Sequence, residues 1–563
     1  MRLPLLAALL CVELWAPEPA IVNFDVPVPM RDGVHLSTNV FRPRRPARVP
    51  TILIRTPYRK GDAISSNWQA FIDHGYAVVV QDVRGRFESE GVFRPLDQEG
   101  PDGYDTIEWI ARQPWSDGKV GMTGGSYLGI VQWKAALTGN PHLKAIFPWV
   151  SGNDDYFDRF YSPGGAVKLG QRLVWMAENL RIPGYRPDFN RYIWHLPLRT
   201  SDRAATGDTS PMFHDAISHP AYDDFWRRIS TRASITRVKA AVFSVGGWYD
   251  NFVRGDLESM AVLRRISGVH RILIGPWAHD MRYRFEGVDF GPGSTVPLRT
   301  LQLMWFDQWL KGKDTAVLSE APVRVFVMGA NRWREDHQWP PADARMTPWY
   351  LQSHGRANTL SGDGILGAHP TRQRPPDRFV YDPQKPVPTR GGAVCCNPRL
   401  LPWGPLDQRP VESRRDVLVY TSQPLPRDME VTGPVQAVLW VSTSAPDTDF
   451  TAKLVDVFPD GQARILTDGI LRLRYRDSLE RPLRATPGEI YRIAIDAGVT
   501  SNLFRKGHRM RLEVSSSNFP RFDRNLNTGG SIPDETRSRK AEQIVYHDPA
   551  HPSHVLLPVI TEP

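Results

Sequence analysis

The chain has 563 residues, of which 41% are hydrophobic and 23% charged, and its formal net charge is +9. This composition is typical of a soluble globular protein with two or three domains, and 18 Trp and 50 Pro favour sandwich-type strands over a helical array. The charge does not indicate a nucleic-acid partner, because only 12 of the 70 basic residues are Lys and the arginines are scattered among acidic residues.

The N-terminus contains a short apolar run, Leu3 to Val12, within residues 1–21. Glu13 interrupts the apolar pattern, and Pro17 follows Ala16, the best candidate for a cleavage site. We therefore predict an uncleaved leader and favour a cytoplasmic enzyme over an exported one. No other stretch is long and apolar enough to span a membrane.

The three cysteines, Cys11, Cys395 and Cys396, have neither the spacing of metal ligands nor that of a disulfide framework. A bridge between adjacent cysteines closes a strained ring. We therefore expect Cys395 and Cys396 to be a small apolar pair in a loop, and we predict no metal and no organic cofactor.

The first part of the chain predicts a mostly parallel sheet. An entry hairpin is expected from Ile21 to Pro43, around the turn at Arg31 to Gly33. Short apolar runs separated by helical patterns follow, which is typical of strands buried on both faces. The runs are Thr51–Ile54, Tyr76–Val80, Val120–Met122, Ala145–Phe147, Ala240–Ser244, Arg271–Ile274 and Val323–Val327.

The interval between Phe147 and Ala240 is too long for one crossover, and its aromatic-rich helical patterns are broken by prolines. We predict a helical cap inserted at residues 153–236, between two parts of an α/β domain at 22–152 and 237–346. After Val327, proline-rich connections separate short β-type runs, which predict a β-sandwich of jelly-roll type at 347–563.

The stretch from Lys119 to Gly129 has the pattern of a strand, a tight turn and a helix, with Ser126 at the turn. In such a nucleophile elbow the serine hydroxyl projects from the carboxyl end of a strand, and the next N–H can stabilise an oxyanion. Leu128 stands where the usual pattern has a second glycine, and Gly129 comes one residue later. A plain strand-to-helix turn is the alternative.

A serine nucleophile needs a base, and the base needs an orienting carboxylate. Asp250 follows the predicted strand that ends near Val245, and His279 follows the next strand. The order Ser126, Asp250, His279 is that of α/β-hydrolases, and both residues follow strands whose carboxyl ends should form the site.

Each assignment has an alternative. Asp250 could instead cap the helix that begins near Phe252, and Asp256 or Asp280 could be the acid. His279 could be a loop histidine bonded to the backbone. His270 precedes its strand and is therefore expected at the opposite end of the sheet.

Several further motifs are spread along the chain: Arg55 to Tyr58, Gln81 to Gly85 with Ser89 to Gly91, Gly124 to Gly129, Gly246 to Asp250, Gly275 to His279 and Gly404 to Arg409. Taken together, they resemble those of the cocaine-esterase-like hydrolases, which are related to X-Pro dipeptidyl peptidases, α-amino-acid ester hydrolases and glutaryl acylases. The variant elbow Ser-Tyr-Leu-Gly is the form that this family uses.

The resemblance implies an α/β-hydrolase domain with a Ser-Asp-His triad: Ser126 as nucleophile, His279 as general base and then acid, and Asp250 as its orienting carboxylate. It also implies an oxyanion hole formed by the hydroxyl of Tyr58 and the backbone N–H of Tyr127. A tyrosine packed at a strand end is the alternative for Tyr58.

Three aromatic residues, Phe252, Trp149 and Trp175, are candidates for the wall of an acyl pocket, with ordinary core packing as the alternative. We expect Asp82, Arg84 and Arg86 to form structural ion pairs that fix a loop. The two arginines are alternatively placed to bind a substrate carboxylate.

The sequence therefore predicts a serine hydrolase that acts on a small-molecule ester or amide; a homodimer is compatible with it. The alternative is an X-Pro dipeptidyl peptidase, or an acylase that acts on α-amino-acid esters or β-lactams. In that case Asp154, Asp155 and Asp158 would hold the α-amino group of the substrate. These three acids could instead form the solvated start of a helix. A hypothesis of a different class is a binding protein in which the jelly roll holds the ligand and the hydrolase domain is catalytically inert.

Overall fold

A computed structural model describes residues 20–44, 47–95, 97–267, 269–370, 372 and 374–561. Cys11 and almost all of the predicted leader lie outside these residues. Within the described ranges, no helix combines the length and the apolar character needed to cross a bilayer.

The described residues form 23 strands and 12 α-helices, together with a π-helix at Asp155–Phe160. The strands are β1 Ile21–Pro29, β2 His35–Arg42, β3 Val49–Thr56, β4 Ala77–Asp82, β5 Ser116–Gly125, β6 Leu143–Trp149, β7 Ala241–Tyr249, β8 Arg271–Ala278, β9 Arg284–Phe285, β10 Val288–Asp289, β11 Val323–Val327, β12 Arg332–Asp336, β13 Ala344–Gln352, β14 Ile365–Gly367, β15 Asp377–Tyr381, β16 Leu418–Thr421, β17 Met429–Thr443, β18 Asp449–Val457, β19 Ala463–Arg472, β20 Tyr491–Phe504, β21 Arg509–Ser515, β22 Ala541–Tyr546 and β23 His554–Ile560. The helices are α1 Ser66–Asp73, α2 Glu99–Ala111, α3 Tyr127–Ala136, α4 Leu169–Asn179, α5 Phe189–Ile193, α6 Ser201–Thr206, α7 Pro211–Ser218, α8 Asp224–Ile229, α9 Thr231–Ser234, α10 Val253–Ile266, α11 Leu298–Leu310 and α12 Arg409–Glu412.

The first sheet has ten strands in the order β1-β2-β4-β3-β5-β6-β7-β8-β11-β12. Pairing is parallel from β4 to β11 and antiparallel at both edges. Because the parallel strands run together, the carboxyl ends of β5, β7 and β8 share one edge, and a site can form there.

Side chains of this sheet alternate between two apolar clusters. Ile52 and Ile54 pack with α1 and α11 on one face, whereas Leu53 packs with α2 and α3 on the other. Burial on both faces explains why these strands have nearly continuous apolar sequences, and burying apolar surface stabilises the sheet by roughly 25 cal/mol for each Å² removed from water.

Between β6 and β7 the chain forms the π-helix and helices α4 to α9, which we call the cap. Strands β13 to β23 form a second sheet of eleven strands, in the C-terminal part of the chain. The predicted α/β class with an all-β C-terminal domain is confirmed.

The predicted start of the C-terminal domain at residue 347 differs from the strand boundaries. It falls inside β13, which pairs with β23 from Ala344 onward. The strand is half-exposed and its polar and apolar residues do not alternate clearly, so its sequence pattern is weak.

Candidate active site

The nucleophile elbow connects β5 to α3. Ser126 stands between them with φ 54° and ψ −124°, a strained conformation for a residue with a side chain. Gly124 has φ 147°, and a Cβ on Gly129 would lie 2.5 Å from Cβ of Ser151. A side chain at residue 129 would therefore clash with Ser151, which explains why the second glycine of the motif stands at residue 129 and not at residue 128.

The structure brings Ser126, His279 and Asp250 together. His279 Nε2 lies 3.0 Å from Ser126 Oγ, and His279 Nδ1 lies 2.6 Å from Oδ2 of Asp250. Asp250 is fully buried, and its Oδ1 also accepts the backbone N–H of Phe252 at 3.1 Å. Oδ1 of Asp250 thus accepts a backbone N–H at the start of α10, while Oδ2 contacts the imidazole of His279. This geometry fixes Nδ1 as the protonated nitrogen and leaves Nε2 to accept the serine proton.

The rival residues lie elsewhere. Asp280 pairs with Arg282 on the surface. His270 Nδ1 accepts the backbone N–H of Val242 at 3.2 Å, near the start of β7 and therefore at the end of the sheet away from Ser126. Asp256 is fully buried, and the imidazole of His279 contacts Asp250 instead.

The buried carboxyl of Asp256 should make the stability of the protein depend on pH. Burial, followed by the charges of Asp250 and Asp158, raises the pKa of Asp256 well above its usual range. A folded-state pKa above the unfolded value means that stability is fully present below about pH 4 and is lost as pH rises, by up to about 1.4 kcal/mol for each pH unit until the folded pKa is reached. Asp256→Asn removes this loss. We expect the Tm difference, variant minus wild type, to increase between pH 5 and pH 8; a difference that stays constant or decreases would contradict a protonated Asp256.

Tyr58, in the loop after β3, lines the same cavity as Ser126. Its Oη accepts the indole N–H of Trp175 at 2.9 Å, which orients the phenol from the cap. Burial raises the pKa of Tyr58, so its hydroxyl stays protonated and can donate at neutral pH. The ring of Tyr127 stacks on Trp175 at 6.2 Å, and its hydroxyl donates to Glu99 at 2.5 Å. These contacts fix the first residue of α3, whose N–H has no partner within the helix.

A cavity opens at Ser126 between the α/β domain, the cap and the C-terminal domain. Phe252 and Trp175 line it, together with Tyr58 and Tyr127. Trp149 does not: its indole packs against Gly125 and the apolar cluster on the opposite face of the sheet. The prediction of Trp149 as a pocket wall is therefore corrected, because the last residue of β6 points away from the site.

Cys395 and Cys396 also line this cavity. The structure joins them in a disulfide between adjacent residues, contrary to the expected unbridged pair. Both cysteines come from a loop of the C-terminal domain, so their sequence position alone did not indicate a contribution to the site.

The loop after β4 has a structural role. Arg84 forms ion pairs with Asp102 and Asp32 at 2.6 Å, and Asp82 pairs with Lys60 at 3.5 Å. Burial raises the pKa of Asp82 to about 6.

Arg86 donates to the carbonyl of Pro57 at 3.1 Å and to that of Asn179 at 2.8 Å, and so joins the Tyr58 loop to the end of α4. Neither Arg84 nor Arg86 lines the Ser126 cavity. Their expected structural role agrees with these contacts, although Arg86 fixes the loop through backbone carbonyls and not through the expected ion pair. The alternative role in substrate binding does not agree with them.

The acidic residues at the start of the cap are occupied. Asp154 accepts the N–H groups of Tyr156 and Phe157, and the carboxylate of Asp158 accepts the N–H of Asp154. Asp155 lines the cavity, but it pairs with Lys134 and Arg159. The hypothesis that these three acids hold an α-amino group is therefore not retained.

A second group of serine, histidine and aspartate lies in the C-terminal domain. Ser353 Oγ is 3.0 Å from His547 Nε2 and 2.7 Å from Asp377 Oδ2. All three side chains are buried, so no substrate carbonyl can reach them. In the described ranges, no group of three or more His, Cys, Asp or Glu side chains is arranged to hold a metal ion.

Comparisons with known proteins cover most of the chain. Residues 32–280 match the X-Pro dipeptidyl-peptidase (S15 family), and residues 315–556 match the X-Pro dipeptidyl-peptidase C-terminal non-catalytic domain. Cocaine esterase of Rhodococcus sp. is 41% identical over 96% of this chain and 98% of that protein.

Two solved structures are similar over nearly the full length. An aminopeptidase from a marine sediment Thaumarchaeota archaeon superimposes with a TM-score of 0.84 at 27% identity, covering 96% of this chain and 97% of the other. An α-amino acid ester hydrolase superimposes with a TM-score of 0.82 at 26% identity, covering 99% and 98%.

Proposed function

The chain belongs to the cocaine-esterase-like serine hydrolases related to the X-Pro dipeptidyl peptidases, and we propose that it cleaves carboxylic esters through an acyl-enzyme on Ser126. The observation that carries this proposal is the continuous contact from Asp250 through His279 to Ser126, at 2.6 and 3.0 Å. A serine in this setting loses its proton to the imidazole as it attacks.

In the acylation step Ser126 Oγ adds to the ester carbonyl while His279 Nε2 takes the serine proton. The resulting imidazolium is stabilised by Asp250. The negative charge that develops on the carbonyl oxygen is stabilised by the hydroxyl of Tyr58 and the N–H of Tyr127. His279 then gives the proton to the leaving alkoxide, and the acyl group remains on Ser126.

In the deacylation step a water molecule replaces the alcohol. His279 takes its proton, the hydroxide adds to the acyl carbonyl, and the second tetrahedral intermediate uses the same two donors. Collapse returns the proton from His279 to Ser126 Oγ and releases the carboxylic acid. The side chains named here are sufficient for this sequence of proton transfers.

Tyr58→Phe tests the proposed oxyanion donor. We expect kcat for p-nitrophenyl butyrate to fall by about 10² to 10³, with a smaller change in KM, because the hydrogen bond forms to the oxyanion and not to the ground-state carbonyl. Steady-state kinetics against the wild type measure this. An unchanged kcat would remove Tyr58 from the oxyanion hole.

The second candidate is a peptidase, which the S15 match and the aminopeptidase neighbour favour. A dipeptidyl peptidase must hold the free α-amino group of its substrate, yet Asp155, the acid that lines the cavity, is already paired with two cations. This contact favours the ester.

Hydrolysis of p-nitrophenyl butyrate and of Ala-Pro-p-nitroanilide separates the two candidates, with Ser126→Ala as the blank. We expect ester turnover with little anilide turnover. Faster anilide cleavage would assign the chain to the peptidases. Turnover of neither substrate, together with no reaction with a fluorophosphonate, would favour the inert binding protein.

A further inference from the structure

Two arginines of the cap lie in the wall of the Ser126 cavity. Arg159 is in the π-helix and only 4% exposed; Arg172 is on α4. Arg172 Nη2 donates to the backbone carbonyl of Arg159 at 3.1 Å. In the described part of the chain, Nε and Nη2 of Arg159 and Nε of Arg172 are buried without a hydrogen-bond partner.

The charges around these arginines do not balance. Asp155 is the acid beside them, and each of its two carboxylate oxygens is already in contact with a cation, one with Lys134 and one with Arg159. No carboxylate of the described residues lies within 4.0 Å of the Arg172 guanidinium. The guanidinium carbon instead lies over the rings of Phe160, at 4.2 Å from the ring centre, and Trp175, at 5.8 Å. Burial lowers the pKa of Arg172 to about 10, so it remains charged at neutral pH.

A guanidinium in this position favours an anion. Burying an unpaired charge is costly, and the planar fork of an arginine binds a carboxylate through two parallel hydrogen bonds. We propose that Arg172, with Arg159, binds a carboxylate at the far end of the acyl group, so that the preferred substrates are half-esters of dicarboxylic acids. This inference rests on the proposed esterase function, whose acyl-enzyme fixes where the acyl group lies.

The remainder of the cavity wall fits such an acyl group. Ser126 lies in the wall together with the apolar side chains of Ile130, Met212 and Phe252. Apolar side chains favour the methylene groups that join the ester carbonyl to a terminal carboxylate. We assign the carboxylate to the acyl side because that part stays on Ser126 while the alcohol departs. The same positive field disfavours acyl groups that carry an α-ammonium.

The test compares two esters that differ in charge and little in shape: monomethyl glutarate and methyl 5-methylhexanoate, in which an isopropyl group replaces the carboxylate. Initial rates of acid release are measured at pH 7.5 for the wild type, Arg172→Met and Arg172→Lys. Arg356→Met is the matched control, because this arginine side chain is 82% exposed on the C-terminal domain.

We expect the wild type and Arg356→Met to prefer the glutarate ester in kcat/KM by about 10- to 100-fold, as for a charge-assisted pair. Arg172→Met should remove this preference and Arg172→Lys should keep part of it, while Arg356→Met should hydrolyse the neutral ester at the wild-type rate. Free glutarate should inhibit the wild type competitively and Arg172→Met weakly.

A wild type that prefers the neutral ester, or an unchanged ratio in Arg172→Met, would overturn the inference. Faster cleavage of an ester whose alcohol carries the carboxylate would overturn the acyl assignment. In either case, fluorophosphonate labelling of Ser126 and hydrolysis of the neutral ester would leave the esterase function standing. If the wild type neither reacts with a fluorophosphonate at Ser126 nor hydrolyses the neutral ester, the proposed function and this inference are overturned together. Should Arg172→Met fail to fold, Arg172→Lys and glutarate inhibition of the wild type decide the question.

Discussion

Ser126→Ala is expected to lower kcat for p-nitrophenyl butyrate by about 10⁶, because removing the nucleophile ends acyl-enzyme formation. The variant should also fail to react with a fluorophosphonate. Thermal stability should be nearly unchanged, since the loss of one hydroxyl creates only a small cavity at the elbow.

Circular dichroism during heating provides the control for Ser126→Ala. A large fall in Tm with retained ester turnover would make the elbow an architectural turn, which is the alternative that the displaced glycine of the motif leaves open. Residual turnover within tenfold of the wild-type rate would require another nucleophile.

Asp250→Asn is expected to lower kcat by about 10⁴, by analogy with triads in which the acid becomes an amide. Asn offers no negative charge to the imidazolium, and its amide can donate to Nδ1 and so favour the wrong tautomer of His279. Asp256→Asn is the matched control, because it makes the same chemical change six residues further on, at a buried carboxyl that does not contact His279. That variant should retain kcat within a few-fold of the wild-type value.

Equal losses in the two Asn variants would contradict the assignment of Asp250, since the shared effect would then come from burying an amide. Retained activity in Asp250→Asn would contradict it more directly.

The central features of the fold could be predicted from local patterns. Apolar runs between helical segments indicated the parallel strands, and β3, β4, β5, β6, β7, β8 and β11 each overlap a predicted run. Parallel strands end at one edge of the sheet, so the positions of Ser126, Asp250 and His279 after three of them predicted their meeting.

Other parts of the fold had weak local signals. Strands β13, β14, β15, β22 and β23 were not predicted. They are short, half-exposed or rich in polar residues, and their pairing with distant strands, rather than their own sequence, stabilises them.

The walls of the candidate site depend on contacts between distant segments. Tyr58 was a candidate only through the family resemblance, and its bond to Trp175 joins residues 117 positions apart. Cys395 and Cys396 reach the cavity from the C-terminal domain. Arg159 and Arg172 were not singled out, because a pattern along the chain does not show which of many arginines line the cavity.

The most direct test of the account is the intact mass of the protein after reaction with a fluorophosphonate, followed by peptide mapping and compared with Ser126→Ala. The account predicts one adduct per chain, located on Ser126, with ester hydrolysis lost in proportion to labelling and no adduct in the variant. No adduct on a protein that hydrolyses esters, or an adduct on another residue, would contradict the assignment of Ser126 as the nucleophile.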